Sequence, residues 1–182
     1  MSIQPGTHKL GPDNAALRVE TGRRGAAAKA GHDLVIEVTS WEATAQVGDR
    51  PDQLTLRLRA EPTSLRVREG RGGVRPLGED DKDEIQRTIA EQVLSTDTIE
   101  FRSTDVEASE GGRLLRVSGE LGMNGATRPL EFELDLDATG KVSGRATVKQ
   151  SDWGIEPYSG LFGALKVKDQ VEVLAEATLP AA

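Results

Sequence analysis

His32-Asp33 is the place where residue types that do chemistry stand side by side. A histidine beside an acid could serve as a general base with an orienting partner, but adjacent residues on an extended chain point apart. A histidine at a strand entrance, making a structural hydrogen bond or contacting a ligand head, is therefore the favoured interpretation. Neither His32 nor the distant His8 has a regular spacing to a carboxylate, so we predict no catalytic residue and no metal site.

Other reactive signatures are missing from the 182-residue sequence. Without cysteine it has no disulfide and no thiolate metal site. It also lacks a G-x-S-x-G elbow, a phosphate-binding glycine loop and a dinucleotide fingerprint. A net charge of −7 and an aromatic content of 3% argue against a nucleic-acid partner. We predict that the protein is not an enzyme.

Strands must position His32, because alternating apolar and polar residues dominate the chain. The clearest run spans Leu115 to Leu136 and predicts a long hairpin with one dry and one wet face. In Leu34–Val47 the apolar parity switches at Thr39-Ser40, which predicts a β-bulge that bends a long strand. Similar alternation marks the further segments 15–22, 54–60, 99–106, 142–149 and 165–179.

In one segment the spacing of the apolar residues changes from every second to every fourth residue. Ile85, Ile89 and Val93 recur every four residues and predict one α-helix over about 80–94, lying outside or across an end of the sheet. With short links between strands, the pattern favours a single domain, 1–182, that is all-β: an antiparallel up-and-down barrel of about eight strands. The glycine-rich stretch Glu69–Gly78 is interpreted as an exposed loop.

No secretory signal precedes the first strand, and no stretch approaches the roughly 20 apolar residues of a membrane span. We therefore expect a cytoplasmic protein without a transmembrane segment.

Four motifs, in this order and spacing, resemble the YceI-like family: GHDL (31–34), STDTIEFRST (95–104), VSGEL with MNGATRP (117–129), and SDWGI (151–155). The resemblance covers nearly the whole chain. It implies a lipocalin-like antiparallel barrel that binds long isoprenoid or related amphiphilic lipids. Exported members carry a signal peptide that is missing here, and the segment before the helix is more basic and glycine-rich than usual.

Binding should reside on the inward faces of the strands. The residues predicted to line a cavity are Ile36, Val38, Trp41, Ile99, Phe101, Leu121, Met123, Phe132, Leu134, Val148 and Val173. Small residues such as Gly119, Gly144 and Ala175 interrupt this set, which on its own leaves open whether the interior is packed or hollow. The resemblance favours a cavity. The residues predicted at the mouth, near a ligand headgroup, are His32, Arg24, Lys29, Trp153 and Phe162.

Three hypotheses follow from this pattern. The first is a non-enzymatic barrel that binds a polyisoprenoid, an isoprenoid quinone or a fatty-acid derivative for storage, transport or stress protection. The second is an enzyme that acts on a hydrophobic substrate with His32, and the third is a packed structural or interaction barrel without a ligand. The expected partner is a hydrophobic small molecule, with a homodimer left open. No cofactor is predicted beyond a bound isoprenoid or acyl lipid.

Overall fold

The computed structural model describes residues 3–94, 97–109 and 111–180, so Ser95 and Thr96 of the second motif lie outside the described residues. One α-helix, α1 (Glu79–Thr88), continues as a π-helical turn over Ile89–Val93. The strands are β1 (Gly6–Leu10), β2 (Ala15–Glu20), β3 (Arg23–Arg24), β4 (His32–Val38), β5 (Trp41–Val47), β6 (Leu54–Ala60), β7 (Leu65–Gly72), β8 (Ile99–Ala108), β9 (Leu114–Met123), β10 (Ala126–Leu136), β11 (Lys141–Lys149), β12 (Ser159–Gly160), β13 (Leu165–Val167) and β14 (Gln170–Thr178).

Eleven strands form one antiparallel sheet in the order β1-β5-β6-β8-β9-β10-β11-β14-β2-β4-β7, and the other three form a small sheet, β12-β13-β3. β4 lies near one end of this order and β5 near the other, although only Thr39-Ser40 separates them in the chain. The sheet must therefore curl until its ends meet. At the junction Thr39 N–H donates to the Ser64 carbonyl at 3.1 Å, and Glu61 N–H donates to the Ser40 carbonyl at 3.0 Å.

The prediction of an all-β antiparallel fold with one α-helix is confirmed, but the predicted count of about eight strands is wrong. The described residues contain fourteen strands. Bends divide two long strands into the pairs β4/β5 and β6/β7, and β3, β12 and β13 are only two or three residues long. Such short elements leave no alternation to detect.

The predicted bend at Thr39-Ser40 is present, whereas two bulges lie elsewhere. One is in β8, where the register with β9 shifts between Ser103 and Asp105, and the other is between β4 and β7. Opposite β4, the register passes from Val35–Glu69 to Ile36–Val67, so β7 carries the additional residue. A bulge here increases the local twist of the β4–β7 ladder.

The hairpin β9–β10 has the predicted position. It turns tightly at Asn124-Gly125, where φ is 53° and 74°. Two successive positive φ values are typical of a type I′ turn, which suits the twist of the flanking strands. Pro129 is tolerated inside β10 because β11 pairs with β10 only from Glu133 onward.

The barrel has two different ends. At one, which we call the helix end, lie α1, the β9–β10 turn and the segment 150–169 between β11 and β14. At the other, the turn end, lie the connections β5–β6, β8–β9 and β10–β11. The helix packs against β7 through Ile85 and Ile89, which contact the cluster Ile36, Leu65 and Val67. No described helix is long and apolar enough to cross a membrane.

Candidate functional site

A cavity of about 810 Å³ occupies the interior from the helix end to the middle of the barrel. Its wall is mostly aliphatic and aromatic, and the helix contributes Ile85, Ile89 and Val93 to it. Ten of the eleven residues predicted to face inward line this cavity: Ile36, Val38, Ile99, Phe101, Leu121, Met123, Phe132, Leu134, Val148 and Val173. The alternation of the strands thus places these side chains around one space.

The interior is closely packed in some places and hollow in others. In β9, Leu115 and Val117 are 2% and 0% exposed. By contrast, Leu56, Leu58 and Phe132 point inward and line the cavity, yet they are only half-buried. An inward apolar side chain that keeps accessible surface has no packing partner on that side.

Trp41 does not line the cavity. Its side chain is buried in a separate cluster with Leu17, Val38, Ala43 and Ala60. Its indole Nε1 is buried without a hydrogen-bond partner among the residues that the structure describes. The bend at Thr39-Ser40 lies between Trp41 and the β4 residues Ile36 and Val38, which line the cavity.

Polar groups gather where the cavity reaches the helix end. His32, Arg75 and Asp81 all line this mouth and form one chain of hydrogen bonds. The His32 ring nitrogen Nε2 lies 2.8 Å from the Arg75 carbonyl, and the Arg75 guanidinium lies 2.7 Å from the Asp81 carboxylate. The Gly78 amide hydrogen bond, and the Arg75 guanidinium after it, hold the pKa of the Asp81 carboxyl below its usual range. This chain fixes the loop between β7 and α1 over the mouth.

His32 is positioned as a structural group. A carbonyl oxygen only accepts, so Nε2 must donate its hydrogen to Arg75 and is not available as a base. The neighbouring Asp33 carboxylate accepts instead from the Arg23 backbone amide at 2.9 Å. His32 and Asp33 therefore do not act as a pair, and the His32 side chain can offer a ligand only its remaining polar edge.

Glycines make room for this arrangement. At Gly73, φ is +74°, and a Cβ would lie 2.2 Å from His32 Nε2. A Cβ on Gly70 would lie 2.3 Å from the Leu77 side chain. The stretch predicted as an exposed loop is therefore partly strand, since β7 continues to Gly72, and partly a close-packed edge of the mouth.

Arg23 is a mouth residue that the alternation pattern did not reveal. Its guanidinium donates to the Gly31 carbonyl and lies 3.4 Å from the Arg71 carbonyl. A Cβ on Gly72 would collide with the guanidinium. The glycine at position 72 is the one feature of the sequence that could have indicated the place of the Arg23 guanidinium. It does so only once β4 and β7 are known to pair.

Tyr158 and Lys166 also line the mouth, and the sequence pattern missed both. They come from the segment between β11 and β14, where the backbone of Val167 donates to the Tyr158 carbonyl at 2.9 Å. The segment folds back on itself as β12 and β13, and β13 then pairs with β3. The β13–β3 pairs Lys166–Arg24 and Val167–Arg23 join residues that are 142 and 144 positions apart in sequence, beyond the reach of a local pattern.

Four of the five predicted mouth residues lie outside the cavity lining. Arg24 lies on β3 opposite Lys166, Lys29 lies in a 3₁₀ turn over Ala28–Ala30, and Phe162 is fully exposed. Contact of these side chains with a ligand head stays a prediction.

Trp153, the fourth of these, is a wall residue. It is 3% exposed, and its indole Nε1 donates to the Leu121 carbonyl at 2.9 Å. The Asn124 side-chain amide donates to the Trp153 carbonyl at 3.0 Å. In this region residues 126–132 of β10 and 146–149 of β11 have no ladder between them. Trp153 and its 3₁₀ turn thus lie beside the gap between β10 and β11, where these two strands are not hydrogen-bonded to each other.

The fold and its interior define a class: a curled antiparallel β-barrel with an apolar cavity at one end. A family model described as "YceI-like domain" matches residues 16–179. The chain therefore belongs to the YceI-like family, and the resemblance in its motifs is confirmed.

Solved structures share the fold. BcnA of Burkholderia cenocepacia superposes with a TM-score of 0.63 at 14% identity, covering 90% of this chain and 96% of that one. A polyisoprenoid-binding domain from Saccharophagus degradans, implicated in plant cell wall breakdown, gives 0.54 at 8% identity and covers 96% and 99%. A mutant CJ YCEI protein gives 0.51 at 12%, covering 80% and 85%. No curated protein matches the sequence.

Proposed function

We propose that this protein binds one long-chain amphiphilic lipid in the cavity without chemical change. The lipid would be a polyisoprenoid, an isoprenoid quinone or a fatty-acid derivative, held for storage, transport or protection under stress. The observation that carries the proposal is the 810 Å³ apolar cavity with half-buried inward side chains. Ligand sites in proteins typically measure about 300–1,000 Å³.

The chemistry of the lining favours a long apolar tail. Each enclosed CH2 contributes roughly 0.8 kcal/mol, so eight carbons would contribute about 6 kcal/mol and sixteen about 13 kcal/mol. Association itself costs about 4–15 kcal/mol in lost freedom. Short chains would therefore bind weakly, whereas long ones would remain bound through purification.

The mouth provides a place for a polar head. Four lysines and arginines line the cavity, and three of them are ion-paired: Arg23 with Asp33, Arg75 with Asp81 and Arg145 with Glu172. For Lys166 we find no ion pair among residues 3–94, 97–109 and 111–180. Beside Tyr158, Lys166 is the group best placed to receive an acidic or hydroxylated head. Family membership and the shared fold of the polyisoprenoid-binding domain from Saccharophagus degradans support the same ligand class.

Native mass spectrometry of gently purified protein, followed by solvent extraction, tests the proposal. We expect a bound species with the mass of a long-chain lipid, and reloading of the extracted protein by prenyl or acyl chains. The variant Ala175→Phe places a ring in the cavity and should abolish uptake, while Glu176→Phe places the same ring on the exposed face. A wild-type protein that is always empty and takes up neither chain would refute lipid binding.

The headgroup contact has its own test. Lys166→Gln should weaken uptake of a fatty acid more than that of the corresponding hydrocarbon. Lys168→Gln, on a neighbouring side chain that does not line the cavity, is the matched control. Equal losses in the two variants would rule out a specific role for Lys166.

A further inference from the structure

The exposed aromatic residues are concentrated on one loop. The chain contains six aromatic residues in all. Trp41, Phe101 and Trp153 are buried and Phe132 lines the cavity. The other two, Tyr158 and Phe162, are exposed on the loop 158–163, which we call the finger loop. An aromatic-poor protein that exposes a third of its aromatics in one place has an apolar surface that needs a partner.

The finger loop presents its apolar side chains outward. Leu161 and Tyr158 are 57% and 44% exposed, and Phe162 is fully exposed. Leu161 and Phe162 have φ values of 49° and 54°, a backbone conformation that residues with side chains rarely adopt. This conformation holds the two side chains at the tip without burying Phe162 against the barrel.

A ring of basic residues surrounds the finger loop. The segments 22–31 and 157–168 contain five basic residues and no acidic one, in a chain of net charge −7. β3 and β13 bring the two segments together, with Arg24 opposite Lys166. The Lys168 amide donates to the Gly22 carbonyl at 2.7 Å, and a Cβ on Gly22 would lie 2.8 Å from the Lys168 side chain. We call Arg24, Lys29, Lys166 and Lys168 the basic rim.

Two acids, Glu156 and Asp169, border the segment 157–168 in sequence. Asp169 accepts from the Ser151 amide at 2.8 Å and from the Ser151 hydroxyl at 2.6 Å. These bonds hold the pKa of Asp169 below its usual range. Asp169 therefore remains ionised, and Arg24 is one of the cations that lower its pKa. The four side chains of the basic rim still outnumber the two bordering acids, Glu156 and Asp169.

We propose that the finger loop docks on the surface of a lipid bilayer containing anionic phospholipids. Phe162 and Leu161 would enter the boundary between headgroups and acyl chains, and the basic rim would contact the headgroup phosphates. A tyrosine beside the tip fits that boundary, since its ring is apolar and its hydroxyl is polar. Tyr158, Leu161 and Lys166 also line the cavity mouth, so a docked protein would hold its mouth at the membrane surface.

Docking depends on the finger loop and the basic rim and not on a filled cavity. It can therefore be measured on the extracted, lipid-free protein, and also on Ala175→Phe, whose cavity is blocked. If Ala175→Phe binds vesicles but takes up no lipid, docking and lipid binding are separate properties of the chain.

Vesicle flotation tests the proposal. The full chain should float with vesicles that mix phosphatidylcholine and phosphatidylglycerol, and much less with phosphatidylcholine alone. Phe162→Asn should weaken partitioning roughly tenfold or more, because a buried ring is lost. Asparagine tolerates a positive φ, so the thermal transition should not move. Arg24→Gln and Lys168→Gln should each cost about fivefold, and about 1 M salt should abolish their effect.

Insertion has a direct readout in Phe162→Trp, because Trp41 and Trp153 are buried and should not respond to vesicles. A blue shift of the new emission on anionic vesicles supports insertion. Leu114→Thr, which removes an exposed leucine at the turn end, is the control and should float like the wild type.

Two outcomes would overturn the proposal. One is a wild-type chain that does not float, or a Phe162→Asn variant that floats equally well. The other is a concentration-dependent dimer, seen by light scattering and lost in Phe162→Asn, without flotation. That result would assign the finger loop to a contact between two copies of the chain.

Discussion

The turn end and the helix end of the barrel are made from the same alternating strands, yet their inward side chains meet different surroundings. At the turn end Leu115 and Val117 are enclosed by other side chains, with exposures of 2% and 0%. Toward the helix end Leu58 faces a cavity and remains half-buried. Alternation therefore fixes which way a side chain points, but the size of its neighbours decides whether it packs.

Small residues mark the difference. Gly144, Ala146 and Ala175 line the cavity on two paired strands, β11 and β14. In β9, Leu115 and Val117 provide larger inward side chains. Packed interiors stabilise a fold through many short contacts, whereas a cavity gives up those contacts until a ligand supplies them.

The largest difference that we predict between the two ends is the loss of stability when a leucine is replaced by alanine. Leu115→Ala removes a fully enclosed side chain and should lower the free energy of unfolding by about 3 kcal/mol, within the range of about 2–5 kcal/mol for such changes. Leu58→Ala removes a side chain already open to the cavity, and should cost less than about 1 kcal/mol in the empty protein. Urea unfolding of both variants measures the contrast. Equal losses would mean that the cavity is filled or collapsed in the absence of ligand.

Enlarging an alanine tests the same contrast in the opposite direction. Ala45→Leu forces a larger side chain into the packed turn end and should cost about 1–3 kcal/mol. Ala175→Leu has the cavity to occupy and should cost less than about 1 kcal/mol, since no neighbour must move far. The midpoint of the thermal transition shows which of the two variants loses more stability. A larger loss for Ala175→Leu would argue against an open interior.

The two tryptophans provide a smaller and more local comparison. Trp153→Phe removes the indole N–H that bonds the Leu121 carbonyl, which should cost about 1–2 kcal/mol. Trp41→Phe loses similar volume, but its Nε1 has no hydrogen-bond partner among the described residues, so it should cost less. Denaturant unfolding compares them. A greater loss for Trp41→Phe would reveal a bond that its indole makes in solution.

Much of the barrel could be predicted from the sequence because its information is local. Period-two alternation identified the long strands, and the run of Ile85, Ile89 and Val93 identified the helix. Ten inward residues converge on one cavity for the same reason, since parity follows from the pleat alone. The short strands and the true positions of the bulges depend on pairing with other strands, and no local pattern encodes that pairing.

The mouth was harder to predict than the wall. Arg23, Tyr158 and Lys166 reach it through β3, β12 and β13, which are two or three residues long. Trp153 was predicted at the mouth because its motif follows a strand end, but the gap between β10 and β11 provides a place for its ring in the wall. Loops set the polar groups of a site, and loops carry the weakest sequence periodicity.

The smallest effect that we predict concerns the helix, which rests on the mouth without a fully buried residue. Its start is held by Asp81, which accepts from the Gly78 amide at 2.8 Å and from Arg75. Because these bonds lower the pKa of Asp81 in the folded state, their contribution is fully present above the ordinary value of 3.8. It is lost as the pH falls through the lowered pKa.

Hydrogen exchange, corrected for the intrinsic rate at each pH, should therefore show constant protection of Glu79–Val93 from neutral pH down to about the ordinary pKa of an aspartate. Below that value the protection of the helix should fall. Asp81→Asn should reduce protection of the helix already at neutral pH, while Asp80→Asn removes an equal charge from the first turn without breaking this contact. If the two variants exchange alike, the helix is stabilised by its charge and not by the bond to Gly78. In that case the hydrogen bond at the start of the helix adds nothing to the contrast between the helix end and the turn end, and only the packing of their side chains distinguishes them.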